Sequence, residues 1–368
     1  MEKGTVLQIL ELVREIKANN RFYDLHVHPH EVMYDPLTYY PSAVGPGFYG
    51  TGSSAYNAPE ITDVAIDGGF RREERRSNDI LRAKMAVLTS RRIYAHTGPK
   101  VLGDLLELAC IDEALLLPVM RSDEVDDGQI AQMRRMFGGD QRFHFGYCLS
   151  NSVPNDRIVE HLREVVADCP VRVLKIHPAV TGIDLGSAAG KERVEAMLEA
   201  SRLTGLKVLI HGGLSPDCAR RENSSYAAIA NLLPIDWGIT PETVIIAHAG
   251  CFGYPFDQVR AEVMPRMQGL LERFPHLMVD TSGANIDVLE QILIRVGRNR
   301  IVFGSDALYE TPWFAMVKLW CALKAGVKDP EEGLLQIAGL NPARLLYGKS
   351  ASIEGMNFFS EGRLTNQA

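Results

Sequence analysis

The sequence predicts an α/β fold, a (β/α)8 TIM-like barrel with a long insertion after the first strand. Three observations carry that expectation. From about residue 113 to the C-terminus, short apolar runs rich in Val, Ile and Leu alternate with longer stretches of helical spacing. The runs stand roughly 25–37 residues apart, the size of one strand–helix unit. They are almost continuously apolar, as strands covered on both faces of a parallel sheet must be.

The chain opens with MEKGTVLQILELVREIKANN, too charged for a secretory leader and spaced as an amphipathic helix. RFYDLHVH supplies the first strand, and EALLLPV, RFHFGYC, VRVLKIHP, LKVLIHGG, TVIIAHAG, HLMVDTSG and RIVFGSD supply the other seven. Between them, DRIVEHLREVVADC and DQVRAEVMPRMQGLLERF carry the i, i+3, i+4, i+7 pattern of core-facing helices. The late NPARLLYG reads as a packing and capping element. An open doubly wound sheet uses the same inventory, but no strand leads into a G-x-G-x-x-G turn, which favours the barrel.

The 368 residues read as one domain, with an insert at about 30–95. Five of the twelve tyrosines fall between Tyr34 and Tyr56, among Gly45, Gly47, Gly50, Gly52 and several prolines. Aromatic density argues for order, so the insert is expected to be a lid or cap over the barrel mouth; a subunit contact and a loose loop are the alternatives.

Composition narrows the function classes. No run of 18 apolar residues occurs, which argues against a membrane span. The net charge of -7 argues against nucleic acid as a partner, because neutralising phosphates needs a concentrated positive surface. Six scattered cysteines without a C-x-x-C pair suit reduced thiols in a cytoplasm. The expected partner is a small-molecule substrate, with a homo-oligomer open.

The chemistry gathers at strand ends. His26 and His28 are two apart on a strand and share a face, so both imidazoles can reach one cation. His177, His211, His248 and Asp306 end the fourth, fifth, sixth and eighth strands, which converge at the C-terminal mouth where barrel enzymes carry their active sites. Burying such groups costs several kcal/mol unless they are paired or bound to metal. Three imidazoles and a carboxylate suit Zn2+ or a similar divalent ion. His96, His144, His161 and His276 lie in turn, early-strand, helix or loop contexts and are expected to be structural.

The H-x-H strand, VLIHGG, IIAHAG, FGSD, LKIHP, VDTSG and NPARLLYG together resemble the amidohydrolase superfamily, in the amidohydrolase 2 branch that includes aminocarboxymuconate semialdehyde decarboxylase. The resemblance covers roughly residues 22–30 and 95–348 and is specific for the branch rather than the substrate. It implies that His26, His28, His211 and Asp306 hold one divalent metal ion, with zinc first and a second metal possible. It also implies that His248 is the acid/base residue, or a ligand if two metals bind.

Lys175 shares a face with His177 and is expected to take a substrate carboxylate or steer the site; carbamylation as a metal bridge and a structural ion pair are the alternatives. His177 is expected beside the ligands or facing substrate. Arg220 and Arg221 are candidates to clamp a carboxylate, with solvent exposure as the plain alternative. Cys251 has no evident base and is not expected to be a nucleophile. The implied function is hydrolysis of an amide, ester or lactone by metal-activated water, with Asp306 and His248 as the proton-handling residues. A non-oxidative decarboxylase or hydratase is the alternative, and a barrel that only binds is disfavoured because every expected ligand position is filled. A nuclease barrel with an initial H-x-H is disfavoured by the acidic chain and by Lys175 and His177 on the fourth strand.

Overall fold

The computed structural model describes residues 3–28, 99–120, 128–215, 221–307 and 310–348. The lid expectation for the insert, His96 and Arg220 all lie outside them. Eight parallel strands run in chain order around one sheet: β1 (Tyr23–Val27), β2 (Glu113–Leu116), β3 (Phe143–Cys148), β4 (Val171–Ile176), β5 (Lys207–Ile210), β6 (Val244–Ile246), β7 (Leu277–Asp280) and β8 (Ile301–Val302). Each of the eight apolar runs is a strand. β8 is only two residues long, yet its continuation meets β1: Leu25 N–H donates to Phe303 O, Asp306 N–H to His26 O and His28 N–H to Ala307 O, at 2.9–3.0 Å. Those bonds close the seam of the TIM barrel.

The helices cover the outside. They include α1 (Lys3–Lys17), α2 (Pro99–Leu108), α3 (Gln129–Phe137), α4 (Ile158–Asp168), α5 (Ala188–Thr204), α6 (Met264–Arg273), α7 (Ile286–Arg295), α8 (Pro312–Gly326) and α9 (Asn341–Tyr347). In α1 the buried positions are Val6, Leu10 and Val13, the i, i+4, i+7 stripe that the N-terminal sequence promises. The stretch leading into α6 departs from a single regular helix, because Val259–Val263 forms a π-turn just before Pro265. Proline has no N–H to give the preceding turn, and the wider turn takes up that loss. No helix among the described residues is long and apolar enough to cross a membrane.

Opposite the mouth, a polar cluster locks the barrel floor. Glu113 of β2 accepts from His144 Nε2 at 2.7 Å, from Arg21 and from the Tyr347 hydroxyl of α9. Asn341, at the other end of α9, donates to the carbonyls of Arg298 and Ile301, so NPARLLYG does pack and cap. Burial alone would raise the Glu113 carboxyl, but the hydrogen bonds from His144, Tyr347 and Arg21 outweigh it and hold it below its ordinary value. A depressed carboxylate stabilises the fold above its unfolded pKa, and that contribution disappears as pH falls through the lower folded value. Glu113→Gln should therefore lose about 1–3 kcal/mol at neutral pH, the worth of hydrogen bonds to a charged group, here the buried Glu113 carboxylate. The gap to the parent should close as acid protonates the parent's carboxyl. Melting curves across that range check it; a gap independent of pH would show that charge is not involved.

Candidate metal centre at the barrel mouth

The ends of β1, β4, β5, β6, β7 and β8 bring His26, His28, Lys175, His211, His248, Asp280 and Asp306 together, each of them buried. His26, His248 and Asp306 can each present one ligand atom within 4.8 Å of the others. His28 belongs to the same knot: its Nε2 lies 3.1 Å from His26 Nε2 and 3.2 Å from Asp306 Oδ1, and His26 Nε2 is 3.6 Å from that oxygen. His211 joins through His248, with Nδ1 3.2 Å from His248 Nε2 and Nε2 2.9 Å from Ser215 Oγ.

Proton positions follow from partners. His26 Nδ1 faces Asp280 Oδ2 at 2.8 Å and His28 Nδ1 faces the Leu117 carbonyl at 2.8 Å. Both partners are acceptors, so each neutral ring carries its proton on Nδ1 and offers a lone pair at Nε2. His248 is fixed in the same way, Nδ1 donating to Ser282 O at 2.9 Å. Two lone pairs and a carboxylate thus crowd together without a proton between them, an arrangement that calls for a cation. The donor set fits a divalent ion. Lys175 Nζ, 2.9 Å from His26 Nε2, is the cation the chain itself supplies.

Electrostatics agree. Burial drives His26, His28, His177 and His211 below the ordinary imidazole value, which keeps their rings neutral. Burial lowers Lys175 to about 8 against the pull of Asp306 and Asp280. Burial would raise the Asp306 carboxyl; a proton donated by His28 and positive charge on His248, His26 and His28 would outweigh that and hold it well below the usual carboxylate range, so with neutral rings the anion is left wanting a cation.

The backbone is bent to present these groups. His248 and Asp306 sit at φ 57° and 64°, left-handed values that non-glycine residues adopt at a cost of order 1–3 kcal/mol. Gly304 permits the close passage of β8 over β1, since a Cβ there would fall 2.7 Å from the His26 Cβ. Asp24, one step down the face that carries His26, accepts from His26 N–H at 3.1 Å and Ser305 N–H at 2.9 Å.

His177 stacks on His211, centroids 4.1 Å apart and planes 12° apart, and its Nδ1 accepts from Val180 N–H. Arg221 begins a short turn, Arg221–Ser225. Burial pushes the Cys251 thiol up, consistent with an inert cysteine. His144, His161 and His276 bond to Glu113, the Tyr147 hydroxyl and the Trp237 carbonyl, away from the cluster at the barrel mouth.

Asp280 and Ser282 are among the residues of the site with no role assigned from sequence. Asp280 Oδ2 orients His26, while Oδ1 accepts from His248 N–H at 2.7 Å, Ser282 N–H at 3.1 Å and Ser282 Oγ. Ser282 Oγ also lies 3.0 Å from His26 Nδ1 and 2.9 Å from His248 Nδ1. The signal was present in VDTSG, where Asp280 and Ser282 repeat at a strand end the two-residue spacing of His26 and His28.

The family model described as Amidohydrolase matches residues 131–347. No curated protein matches the chain. Among solved structures, a zinc-bound amidohydrolase from Burkholderia multivorans is similar at TM-score 0.51 and 13% identity, over 89% of this chain and 99% of that one. A TIM-barrel protein from Bordetella bronchiseptica reaches TM-score 0.50 at 12% identity, over 89% and 98%. At such identities the likeness speaks for the fold.

Proposed function

This chain belongs to the amidohydrolase family, whose model spans more than half of it, and from that premise we propose a metal-dependent hydrolase that opens a C–N or C–O bond of a small, carboxylate-bearing molecule. The observation that carries the reading is the convergence of the His26 and His28 Nε2 lone pairs on Asp306. His26, His28, His211 and Asp306 would hold the ion, zinc first by donor set and by the zinc in the Burkholderia multivorans barrel. A bound divalent ion supplies a water acidified toward neutrality and a Lewis acid for the scissile carbonyl.

The chain's own groups do the rest. Asp306 offers a carboxylate oxygen to the proton released when water attacks. His248, its Nδ1 tied to Ser282 O, exchanges a proton only at Nε2, and from there it serves the leaving group. The Lys175 ammonium answers a substrate carboxylate, and His177 lines the approach over His211. Arg220 and Arg221 are proposed to assist in holding that carboxylate.

Zinc-loaded protein should carry about one equivalent of metal, the count for a single site with an open position. Offered a panel of carboxylated lactones, esters and amides, it should release acid without CO2. Trapped CO2 from aromatic or unsaturated carboxylates would replace hydrolysis by decarboxylation at the same site. A metal-free protein after zinc loading would remove the reading altogether.

A further inference from the structure

A lysine lies buried where an apolar side chain would fit more cheaply. Lys318 of α8 is 3% exposed, on a helix whose buried positions include Trp313, Phe314, Val317 and Leu319. Its Nζ donates to the Ala284 carbonyl at 2.6 Å, stands 2.7 Å from both carboxylate oxygens of Glu310, and lies 5.0 Å over the Phe314 ring. Replacing a buried ion pair with apolar residues is often neutral or stabilising, so fold stability does not account for it.

What the ammonium joins does account for it. Ala284 stands two residues beyond Ser282, whose carbonyl fixes the His248 ring at 2.9 Å. Glu310 follows β8 in the chain, and its N–H donates to the Asp306 carbonyl at 3.2 Å. Between these loops the clearance is small: a Cβ on Gly283 would lie 3.2 Å from His248 Nδ1 and 3.4 Å from Asp306 Oδ2. One ammonium thus ties the segment that orients His248 to the segment that presents Asp306 in its left-handed conformation.

We propose that Lys318 is a positioning residue that, with Glu310, braces the β7 and β8 loops so that Ser282 and Asp306 hold the metal centre in register. The inference rests on the metal-site reading above and is tested with Lys318→Met and with Lys318→Met combined with Glu310→Gln. Zinc affinity, read by competition with a chromophoric chelator, should fall about tenfold, the lower end for residues that orient ligands. Melting temperature in the double variant should stay at or above the parent's, since the buried pair is gone with its desolvation cost. In metal-free protein, the hydrogen-bonded Nδ1–H of His248, assigned with His248→Asn, should broaden or vanish from histidine-detected NMR spectra. Unchanged zinc affinity with an unchanged His248 signal would overturn the proposal, whatever happens to stability. If the parent binds no zinc, the metal reading fails, and the His248 signal alone decides the brace. Should Lys318→Met not fold, Glu310→Gln alone carries the same two readouts with a smaller expected loss.

Discussion

Asp280→Asn should weaken zinc binding about 10–100-fold while leaving the barrel folded, the range for a carboxylate that orients a ligating imidazole. The direction follows from how the amide must sit. Asp280 Oδ1 accepts from His248 N–H, Ser282 N–H and Ser282 Oγ, so the amide oxygen is drawn to that side. The amide NH2 is then left facing His26 Nδ1 across the 2.8 Å now spanned by Oδ2. A donor there requires Nδ1 to accept, which moves the ring proton to Nε2 and removes the lone pair aimed at the cluster. The substitution is nearly isosteric and buried, so packing barely changes while the tautomer reverses. Zinc affinity beside a circular dichroism melt checks it. Should the Asp280→Asn variant bind zinc as the parent does, His26 is not held through Asp280.

The barrel was legible in the sequence because its signal is local and repeated. Strands such as VRVLKIHP and TVIIAHAG are buried on both faces, and an uninterrupted apolar run is the pattern that double burial demands. His26 and His28 stood out for a related reason: an H-x-H pair alone is a weak signal, but polar residues recur at the ends of the fourth, fifth, sixth and eighth strands. Asp280 and Ser282 obey the same spacing, but an Asp-Thr-Ser-Gly end also reads as an ordinary turn, and only the distance to His26 separates the two meanings. Lys318 was beyond reach, because a lysine at helical spacing normally marks a solvated face. Its burial is decided by the Ala284 carbonyl, 34 residues away in sequence, together with Glu310 just before its own helix. The π-turn before Pro265 was hidden in the same way, since apolar spacing runs through it almost unbroken.

The roles of His248 and His211 separate in a paired experiment. His248→Asn should retain zinc near the parent level while kcat falls about 10²–10⁴-fold, the usual loss with a general acid or base. His211→Ala should lose the metal, and Asp306→Asn should lose zinc affinity and rate together, because it removes both a charged ligand and a proton acceptor. The geometry makes this a demanding test. His248 Nε2 stands 3.2 Å from His211 Nδ1, and His248 itself can join His26 and Asp306 within 4.8 Å. Either imidazole therefore has the reach to be a ligand, and tautomers do not choose between them: Nδ1 of His248 is committed to Ser282 O, while Ser215 Oγ can donate to or accept from His211. Metal stoichiometry beside turnover distinguishes them. Zinc lost from His248→Asn and kept in His211→Ala would exchange the two roles. Loss of one of two bound equivalents in His248→Asn would mean a two-metal site, in which Lys175, already 2.9 Å from His26 Nε2, becomes the residue placed to bridge the metals as a carbamate.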